Sequence, residues 1–485
     1  MTKKSFLLAC SIAAALAAAV PVRAENLLEV YADAVRSDPL VREAEARRSA
    51  ALEAKPQARA LLLPQVNVAG QLYTANADGE STFPQVNPTT GNIVTVGNKS
   101  TTDVSQYWDY RAELTQTIFR WDQWQTLKRA DASVAVAEAN YRAAQQDLLV
   151  RVAQAYFDVL AAEDTLGAAE ATLEALTRQL EQADKRFEVG LIAITDVQEA
   201  RAAHDNARAG VIAAKRAVAT AQEVLREITD KDYQSLVKPA EAMPLDKPDP
   251  LDEQAWVDLA LRDNLNVIAA RLGSEVASAD VKIAQAGHLP SVDLFAQYSE
   301  DSRDATQTNQ SFDPTDPLNS GDRVGGSADS NGTSDVIGLR LNIPIFSGGG
   351  TQSRVREQVY LHRAAREKLE GTMRSAERET RDAYLGVIAE KARVQALQQA
   401  VKSSQTALEA TEAGFEVGTR TTVDVLDARR RLFEAQRDYA RSRYDYLINI
   451  VRLESASGGL KQDDLSVING YLTTPTTLPV VRPKT

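Results

Sequence analysis

Two carboxylates three residues apart, Asp424 and Asp427, are the side chains of this 485-residue sequence best placed to bind an ion. They follow Gly418 on a segment with helical periodicity, where a spacing of three directs both carboxylates the same way. Asp427 has no lysine or arginine four residues before it, whereas Arg420 stands four residues before Asp424; Arg430 and Arg431 follow the pair and are expected on other faces of the helix. Because carboxylate oxygens bind multivalent cations, the pair predicts a cation-holding face. An ordinary solvated acidic face is the alternative.

No other group of residues predicts catalysis. His204, His288 and His362 each lie on a predicted helix or at its end, with no acid or cysteine at metal-ligand spacing. The glycine run 348–350 follows a predicted strand but lacks the lysine and the spacing of a phosphate-binding loop, and there is no nucleophile elbow. We therefore expect no enzyme, no cofactor and no dedicated metal.

The first 24 residues predict a signal peptide. Lys3 and Lys4 precede an apolar run over 5–20, and small residues around position 24 predict cleavage after Ala24. A lipoprotein signal ending at Cys10 is the alternative, but the apolar run continues past it. Cys10 is the only cysteine, so cleavage after Ala24 leaves no thiol and no disulfide. The sequence thus predicts an exported protein that packing alone holds together.

Charge and hydropathy narrow the class of partner. The net charge of −12 becomes −15 when a leader carrying three basic residues and no acid is removed. An acidic balance argues against nucleic acid and against anionic lipid as partners. After residue 24 no stretch approaches the roughly 18 consecutive apolar residues of a spanning helix. A chain of this kind that enters a membrane does so as a barrel.

The carboxylate pair belongs to a stretch that the chain contains twice. RFEVGLIAITDVQEAR is followed 228 positions later by GFEVGTRTTVDVLDAR. In each copy a glycine, Gly190 or Gly418, separates the end of one helix from the start of the next, as helix C-termini favour. Each copy predicts the end of a helical hairpin. We call residues 189–195 the first tip and residues 417–422 the second tip.

Each tip is reached by a long predicted helix. From residue 121 to residue 188 there is no proline and one glycine, which predicts a rod of about 100 Å. Apolar residues recur every seven positions in both rods, the pattern of a left-handed coiled coil. The matched positions are Val159, Leu166, Leu173, Leu180 and Phe187 in the first rod, and Val387, Val394, Val401, Leu408 and Phe415 in the second.

Four segments alternate apolar and polar residues as strands do. They predict two β-hairpins, over 64–119 and 290–346, with long polar loops at 77–102 and 302–334. One face is apolar and aromatic and the other charged, which fits a barrel wall between lipid and water; a soluble sandwich is the alternative. Four strands cannot close, so several chains must share one barrel. Two chains give eight strands, and three give twelve with room for a lumen.

The order of elements is therefore duplicated across the chain. We predict these segments after the signal peptide: N-terminal helices at 25–63, the first β-hairpin at 64–119, the first rod, tip and returning helix at 120–237, a linker at 238–250, second-half helices at 251–289, the second β-hairpin at 290–346, the second rod, tip and returning helix at 347–457, and a C-terminal equatorial segment and tail at 458–485.

Short motifs are spread along the chain after residue 24: AENLLEVY from Ala24, LLPQ from Leu62, AYF from Ala155, GLIAITDVQEAR from Gly190, GHLP from Gly287, VGTRTTVDVLDAR from Val417 and YDYLIN from Tyr444. Together they resemble the TolC-like outer-membrane efflux and secretion channels, the outer-membrane factor family. The resemblance implies an α+β membrane protein. In it, a homotrimeric twelve-stranded β-barrel, with four strands per chain, continues into a long α-helical coiled-coil barrel built from two tandem repeats.

The resemblance also implies a function and partners. It implies a passive, gated exit duct in the outer membrane of a Gram-negative bacterium, embedded in outer-membrane lipid and projecting into the periplasm. Such ducts serve drug efflux or type I protein secretion with a periplasmic adaptor and an inner-membrane transporter of the RND, ABC or MFS type. A periplasmic coiled-coil adaptor or tether that does not conduct is the alternative, although it has no need of four amphipathic strands.

Roles for residues at the tips follow from the same resemblance. It implies that Asp196 and Arg420 form an ion pair between hairpins that keeps the tips closed. Phe415 departs from the family, in which a tyrosine can stand at this place and supply a hydroxyl for a gate bond. In a trimer, Asp424 and Asp427 become six carboxylates around one aperture, where repulsion should raise some of their pKa values and multivalent cations should block.

The residues around the two tip glycines predict the docking surface for the adaptor. In each tip a small residue stands between apolar or β-branched neighbours, which leaves a notch that a partner helix can approach closely. An ordinary glycine cap is the alternative. The docking residues are Val189, Gly190 and Leu191 in the first tip and Val417, Gly418 and Thr419 in the second.

Overall fold

A computed structural model describes residues 24–240 and 243–477, with the backbone alone at 316–320 and 473–477. The predicted signal peptide and Cys10 lie outside the described residues. Within the described chain the contacts define two compact units. The helical unit comprises the residues up to Ala51, Ser133–Ser274 and those from Ala364, and the sheet unit comprises Leu52–Ala132 and Glu275–Arg363.

The elements follow one another in two similar series. In chain order they are α1 (Leu27–Ser37), α2 (Pro39–Leu52), α3 (Ala54–Ala60), β1 (Gln65–Val86), β2 (Ile93–Phe119), α4 (Trp121–Glu188), α5 (Ile194–Thr229), β3 (Ser235–Pro239), α6 (Glu253–Asp263), α7 (Leu265–Ala286), β4 (Ser291–Asp313), β5 (Asp316–Ser327), β6 (Ser330–Asn342), α8 (Gly350–Glu416), α9 (Thr422–Ser457), α10 (Gln462–Gly470) and β7 (Leu472–Thr477).

The two rods are α4, with 68 residues, and α8, with 67 residues. Each is followed by a returning helix of 36 residues, α5 or α9. Val387, Val394 and Leu408 of the predicted seven-residue repeat are buried, as are Val159 and Leu166. The repeat therefore marks the packed side of each rod.

The core of the helical unit lies where α4, α9 and the short elements meet. Tyr156, Phe157 and Tyr444 are fully buried there, and the rings of Phe157 and Tyr444 stack with centroids 6.0 Å apart. The hydroxyl of Tyr156 donates to the carbonyl of Val237 at 2.7 Å, which fixes β3 against α4. Each fully buried large apolar side chain contributes about 1.5–3 kcal/mol to stability.

The sheet unit contains one antiparallel sheet. β1 pairs with β2 and β2 with β4, while β5 and β6 pair with successive parts of the far side of β4. The sheet is therefore four strands wide. Register places Val66, Leu114, Ala296 and Ile337 in one row, so the apolar alternation of every strand falls on the same face. Val66 and Ile337 are exposed on it.

The two predicted loops are wrong in extent. β1 continues to Val86 and β2 resumes at Ile93, which leaves only 87–92 between them where a loop over 77–102 was predicted. In the ladder Gly79 lies opposite Ser100 and Pro84 opposite Thr95. β1 is an edge strand of the sheet within one chain, which is a position where proline is tolerated. In these outer parts of β1 and β2 both faces carry polar residues. The alternation of apolar and polar residues by which a strand is recognised in a sequence is therefore missing.

The loop predicted over 302–334 is wrong for the same reason. β4 runs to Asp313, β5 occupies most of the interval, and β6 begins at Ser330. The predicted linker 238–250 also loses its first two residues, because β3 extends to Pro239 and pairs with β7. That pairing joins segments more than 230 positions apart, which local patterns do not reveal.

Candidate functional site

Both tips turn in the same way. At the first tip Gly190 has a φ of +75°, and the N–H of Leu191 donates to the carbonyl of Arg186 at 2.9 Å. At the second tip Gly418 has a φ of +79°, and the N–H of Thr419 donates to the carbonyl of Gly414 at 2.8 Å. A residue with positive φ followed by this back-donation is the Schellman cap that ends many helices. Glycine is the residue that adopts it without strain.

The predicted docking residues are solvent-exposed in the described chain. Val189 is 69 % exposed, Leu191 71 % and Val417 75 %. Apart from the two neighbouring residues in the chain, no described atom lies within 4 Å of the place where a side chain at Gly190 or Gly418 would begin. Apolar side chains exposed to this degree around an open notch suit a partner surface. Docking itself stays a prediction.

The carboxylate of Asp424 caps its own helix. It accepts hydrogen bonds from the N–H of Thr421 at 2.9 Å and from the Thr421 hydroxyl at 3.0 Å, while the hydroxyl accepts from the N–H of Asp424 at 3.3 Å. This reciprocal pair is a capping box. The donated backbone hydrogen bond, the hydroxyl of Thr421 and the charge of Arg420 lower the pKa of Asp424 below its ordinary value.

Asp427 has a different environment, which corrects the expectation that both carboxylates share a bearing free of cations. Its carboxylate pairs with the guanidinium of Arg430 at 3.0 Å, one turn further along α9. Arg430 therefore does not lie on a separate bearing, because a spacing of three brings its long side chain back over Asp427. The predicted rise in carboxyl pKa concerns six carboxylates in a trimer and stays a prediction; within a single chain the capping bonds favour the charged form of Asp424 and lower its pKa.

Asp196 and Arg420 are not brought together within one chain. Asp196 accepts a hydrogen bond from the N–H of Ala193 at 3.3 Å, the cap equivalent to that of Asp424. The side chain of Arg420 packs over Gly414 instead. Among the described residues no ion pair joins Asp196 to Arg420, so the predicted pair stays a prediction that requires a neighbouring copy.

A duplicated ion pair closes each hairpin, and sequence reading missed it. Asp184 on α4 faces Arg201 on α5 at 3.8 Å. The equivalent residues 228 positions later, Glu412 on α8 and Arg429 on α9, also form an ion pair, with less exposed side chains. An acid and an arginine 17 positions apart, repeated with the same displacement as the tips, were the available signal.

The two hairpins of one chain meet at several levels. Far from the tips, Arg441 of α9 pairs with Asp158 of α4 at 2.8 Å, and the hydroxyl of Tyr444 donates to Asp164 at 2.7 Å. Burial first, and then the charge of Asp164, raises the pKa of Tyr444, so its hydroxyl stays a donor. Nearer the tips Phe433 of α9 packs against the first hairpin.

Between Phe433 and the tips lies a cavity of about 400 Å³. Small side chains of α4 and α5, including Ala169 and Ala207, line one side, and Leu426 and Arg430 of α9 line the other. Beyond the cavity, at the ends of the rods, the guanidinium of Arg186 lies over the ring of Phe415 at 5.1 Å from its centroid. A gap therefore separates the packed part of the two hairpins from the contact at the ends of the rods.

No helix in the described part of the chain is long and apolar enough to cross a membrane. Over the same residues no group of three or more His, Cys, Asp or Glu side chains is placed to hold a metal ion.

Comparison with known protein families gives a match over most of the chain. The model of the family described as Outer membrane efflux protein matches residues 30–230 and 256–459. The outer membrane protein TolC of Escherichia coli K12 is 36 % identical over 459 residues, which cover 93 % of this chain and 86 % of that protein. The alkaline protease secretion protein AprF of Pseudomonas aeruginosa is 25 % identical over 449 residues, covering 91 % and 86 %.

A solved structure shows the same fold. The crystal structure of the Campylobacter jejuni CmeC outer membrane channel superposes with a TM-score of 0.67 at 18 % identity, over 93 % of this chain and 90 % of that one.

Proposed function

Because the chain belongs to the outer membrane efflux protein family, we propose that it forms a passive, gated exit duct in the outer membrane that projects into the periplasm. It serves drug efflux, type I protein secretion or both. The observation that carries the proposal is that one chain contains both two capped helical hairpins and a sheet whose apolar face is exposed. The protein secretion arm is supported by the similarity to AprF, a protein named for protease secretion.

The duct is a homotrimer. Among the residues of one chain that the structure describes, β1 has no partner on its outer side, and neither has β6. Unpaired backbone groups are costly in lipid, where water cannot satisfy them. When β1 of one copy pairs with β6 of the next, three four-strand sheets close into a twelve-stranded wall with a lumen. The exposed apolar face then meets outer-membrane lipid.

Export through the duct needs partners that supply energy. We assign the exposed apolar residues of both tips to a periplasmic adaptor, which links the duct to an inner-membrane transporter of the RND, ABC or MFS type. Notches of this kind fit a helical partner because the tip glycines leave the backbone accessible. The competing function is a coiled-coil tether that does not conduct. The exposed apolar sheet disfavours it, because a tether in water has no use for such a face.

Conductance separates the two functions. The full-length mature protein should migrate in outer-membrane fractions as a heat-modifiable oligomer and, in a planar lipid bilayer, give discrete ion-conducting steps. A protein that forms the oligomer yet gives no conductance under any applied voltage, pH or salt would be a tether. In that case efflux or secretion would still require the protein, but the protein itself would not conduct ions.

A further inference from the structure

We propose that the stacking of Arg186 on Phe415 is the contact that holds the two hairpin ends of one chain together and keeps the duct closed. The proposal rests on the gated duct proposed above and assigns a gate contact within it. Arg186 lies in the last turn of α4 and Phe415 in the last turn of α8. The guanidinium carbon is 5.1 Å from the ring centroid, within the distance at which a cation and an aromatic face attract. Both side chains are half-buried.

The contact is the sole cross-link at this level of the described chain. Arg186 forms no ion pair with a described carboxylate, so its charge is directed at the ring. No hydrogen bond, ion pair or other ring contact between described residues joins the ends of α4 and α5 to the ends of α8 and α9. The ion pairs nearest the tips, Asp184 with Arg201 and Glu412 with Arg429, each stay within one hairpin.

The duplication shows that the contact is specific to one pairing of the two ends. The residue equivalent to Phe415 is Phe187, and the residue equivalent to Arg186 is Gly414. A mirrored contact, from position 414 onto Phe187, therefore cannot form. The side chain of Arg420 packs over Gly414 instead, and Phe187 remains 42 % exposed. Both tips turn in the same way, but only one of the two possible contacts between them is formed.

The surroundings make this link easy to break. The 400 Å³ cavity, which Phe433 lines, lies between the packing of Phe433 and this contact, and the apolar cluster described at the end of the first hairpin does not include the second hairpin. Loss of one half-buried cation–aromatic contact should shift the balance between joined and separated ends by about two- to fivefold. If the three copies of a trimer open together, these factors multiply to about ten- to hundredfold.

Four single variants test the contact in the full-length mature protein. Arg186→Gln and Phe415→Leu each remove one partner. Lys185→Gln is the matched charge control, because Lys185 is an exposed cation one position away, and Phe187→Leu is the matched ring control. We expect the first two to raise closed-state conductance in a planar bilayer by about ten- to hundredfold and the two controls to equal the parent.

A double variant and a second readout complete the test. Arg186→Gln combined with Phe415→Leu should conduct no more than either alone, because both remove the same contact. Hydrogen exchange measured by mass spectrometry should be faster at both tips in the two single variants and unchanged in the controls. The proposal would be overturned if the increases in conductance multiplied in the double variant, or if Lys185→Gln raised conductance as much as Arg186→Gln. Hydrogen exchange at the tips that is unchanged in the two single variants would overturn it as well. A parent that never conducts would refute the duct, while the exchange result would still decide the contact.

Discussion

At the scale of single residues, a side chain at a tip can be both structural and functional. Asp424 is the clearest case, since its carboxylate completes a capping box and also stands within ten residues of Gly418. Replacing it with alanine removes the cap and the charge together. The capping role of Asp424 was predictable from the sequence, because Thr421 followed three positions later by Asp424 is a capping-box spacing. A test of the predicted carboxylate ring must therefore use substitutions that keep the cap.

Asparagine keeps an acceptor oxygen, so Asp424→Asn with Asp427→Asn removes charge while preserving the helix start. If six carboxylates line the aperture of a trimer, this double variant should lose cation preference and block by multivalent cations added from the periplasmic side. Reversal potentials under a salt gradient measure the preference. Glu434→Gln, an exposed acid two turns further along α9, is the control and should behave as the parent. A double variant that retains the parent's selectivity would move the ring elsewhere.

Glu454 gives a stability prediction with a defined pH window. Burial first, and then the charge of Asp464, raises the pKa of Glu454 above its ordinary value of 4.5. The charged carboxylate therefore costs folding free energy above the folded-state pKa, and the cost is absent below the unfolded-state pKa. Glu454→Gln should therefore raise the Tm of the detergent-solubilised protein at pH 7.5 and leave it nearly unchanged at pH 4. Glu434→Gln should show neither effect.

At the scale of elements, the tips combine a backbone requirement with an open surface. Both tip glycines have positive φ, so a bulky residue strains the turn whatever it does to a partner. Asparagine tolerates this conformation better than other side chains, whereas valine does not. The two substitutions at one position therefore separate the shape of the turn from access to the notch.

We expect both Gly418→Asn and Gly418→Val to lower efflux if an adaptor needs the open notch, with trimer and conductance intact. If the glycine is only a helix cap, Gly418→Asn should retain efflux and Gly418→Val alone should lose it, together with about 1–2 kcal/mol of stability. Drug susceptibility of cells that carry each variant gives the measurement. The same pair of substitutions at Gly190 provides an internal repeat.

Elements were predictable where one physical rule acted locally. The rods follow from a seven-residue apolar repeat without proline, and α4 and α8 contain it. The outer halves of the strands were not predictable, because there both faces are polar and the ladder continues through Gly79 and Pro84. The pairing of β3 with β7, and the stacking of Arg186 on Phe415, depend on segments far apart in sequence. Periodicity within one segment carries no information about such contacts.

At the scale of the whole molecule, two kinds of contact are available to close the entrance. One lies within each chain, where Arg186 meets Phe415. The other, the predicted ion pair of Asp196 with Arg420, is not made inside a chain and would have to join neighbouring copies. The two differ in physics. A partly exposed ion pair is screened by salt, whereas stacking on a ring depends less on ionic strength.

The ion pair between copies can be tested apart from the contact within each chain. Asp196→Asn keeps an acceptor for the N–H of Ala193 and removes only the charge, while Arg420→Ser removes the cation and Arg420→Lys retains it. An exposed pair is worth about 0.2–1 kcal/mol, so three pairs around a ring stabilise the closed state by up to about 3 kcal/mol.

We expect Asp196→Asn and Arg420→Ser to raise closed-state conductance and Arg420→Lys to leave it nearly unchanged. The gain should shrink in high salt, where the parent's own pair is weakened, after correction for bulk conductivity. Equal closed-state conductance in all three variants and the parent would exclude this pair from the gate and leave closure to contacts inside each chain.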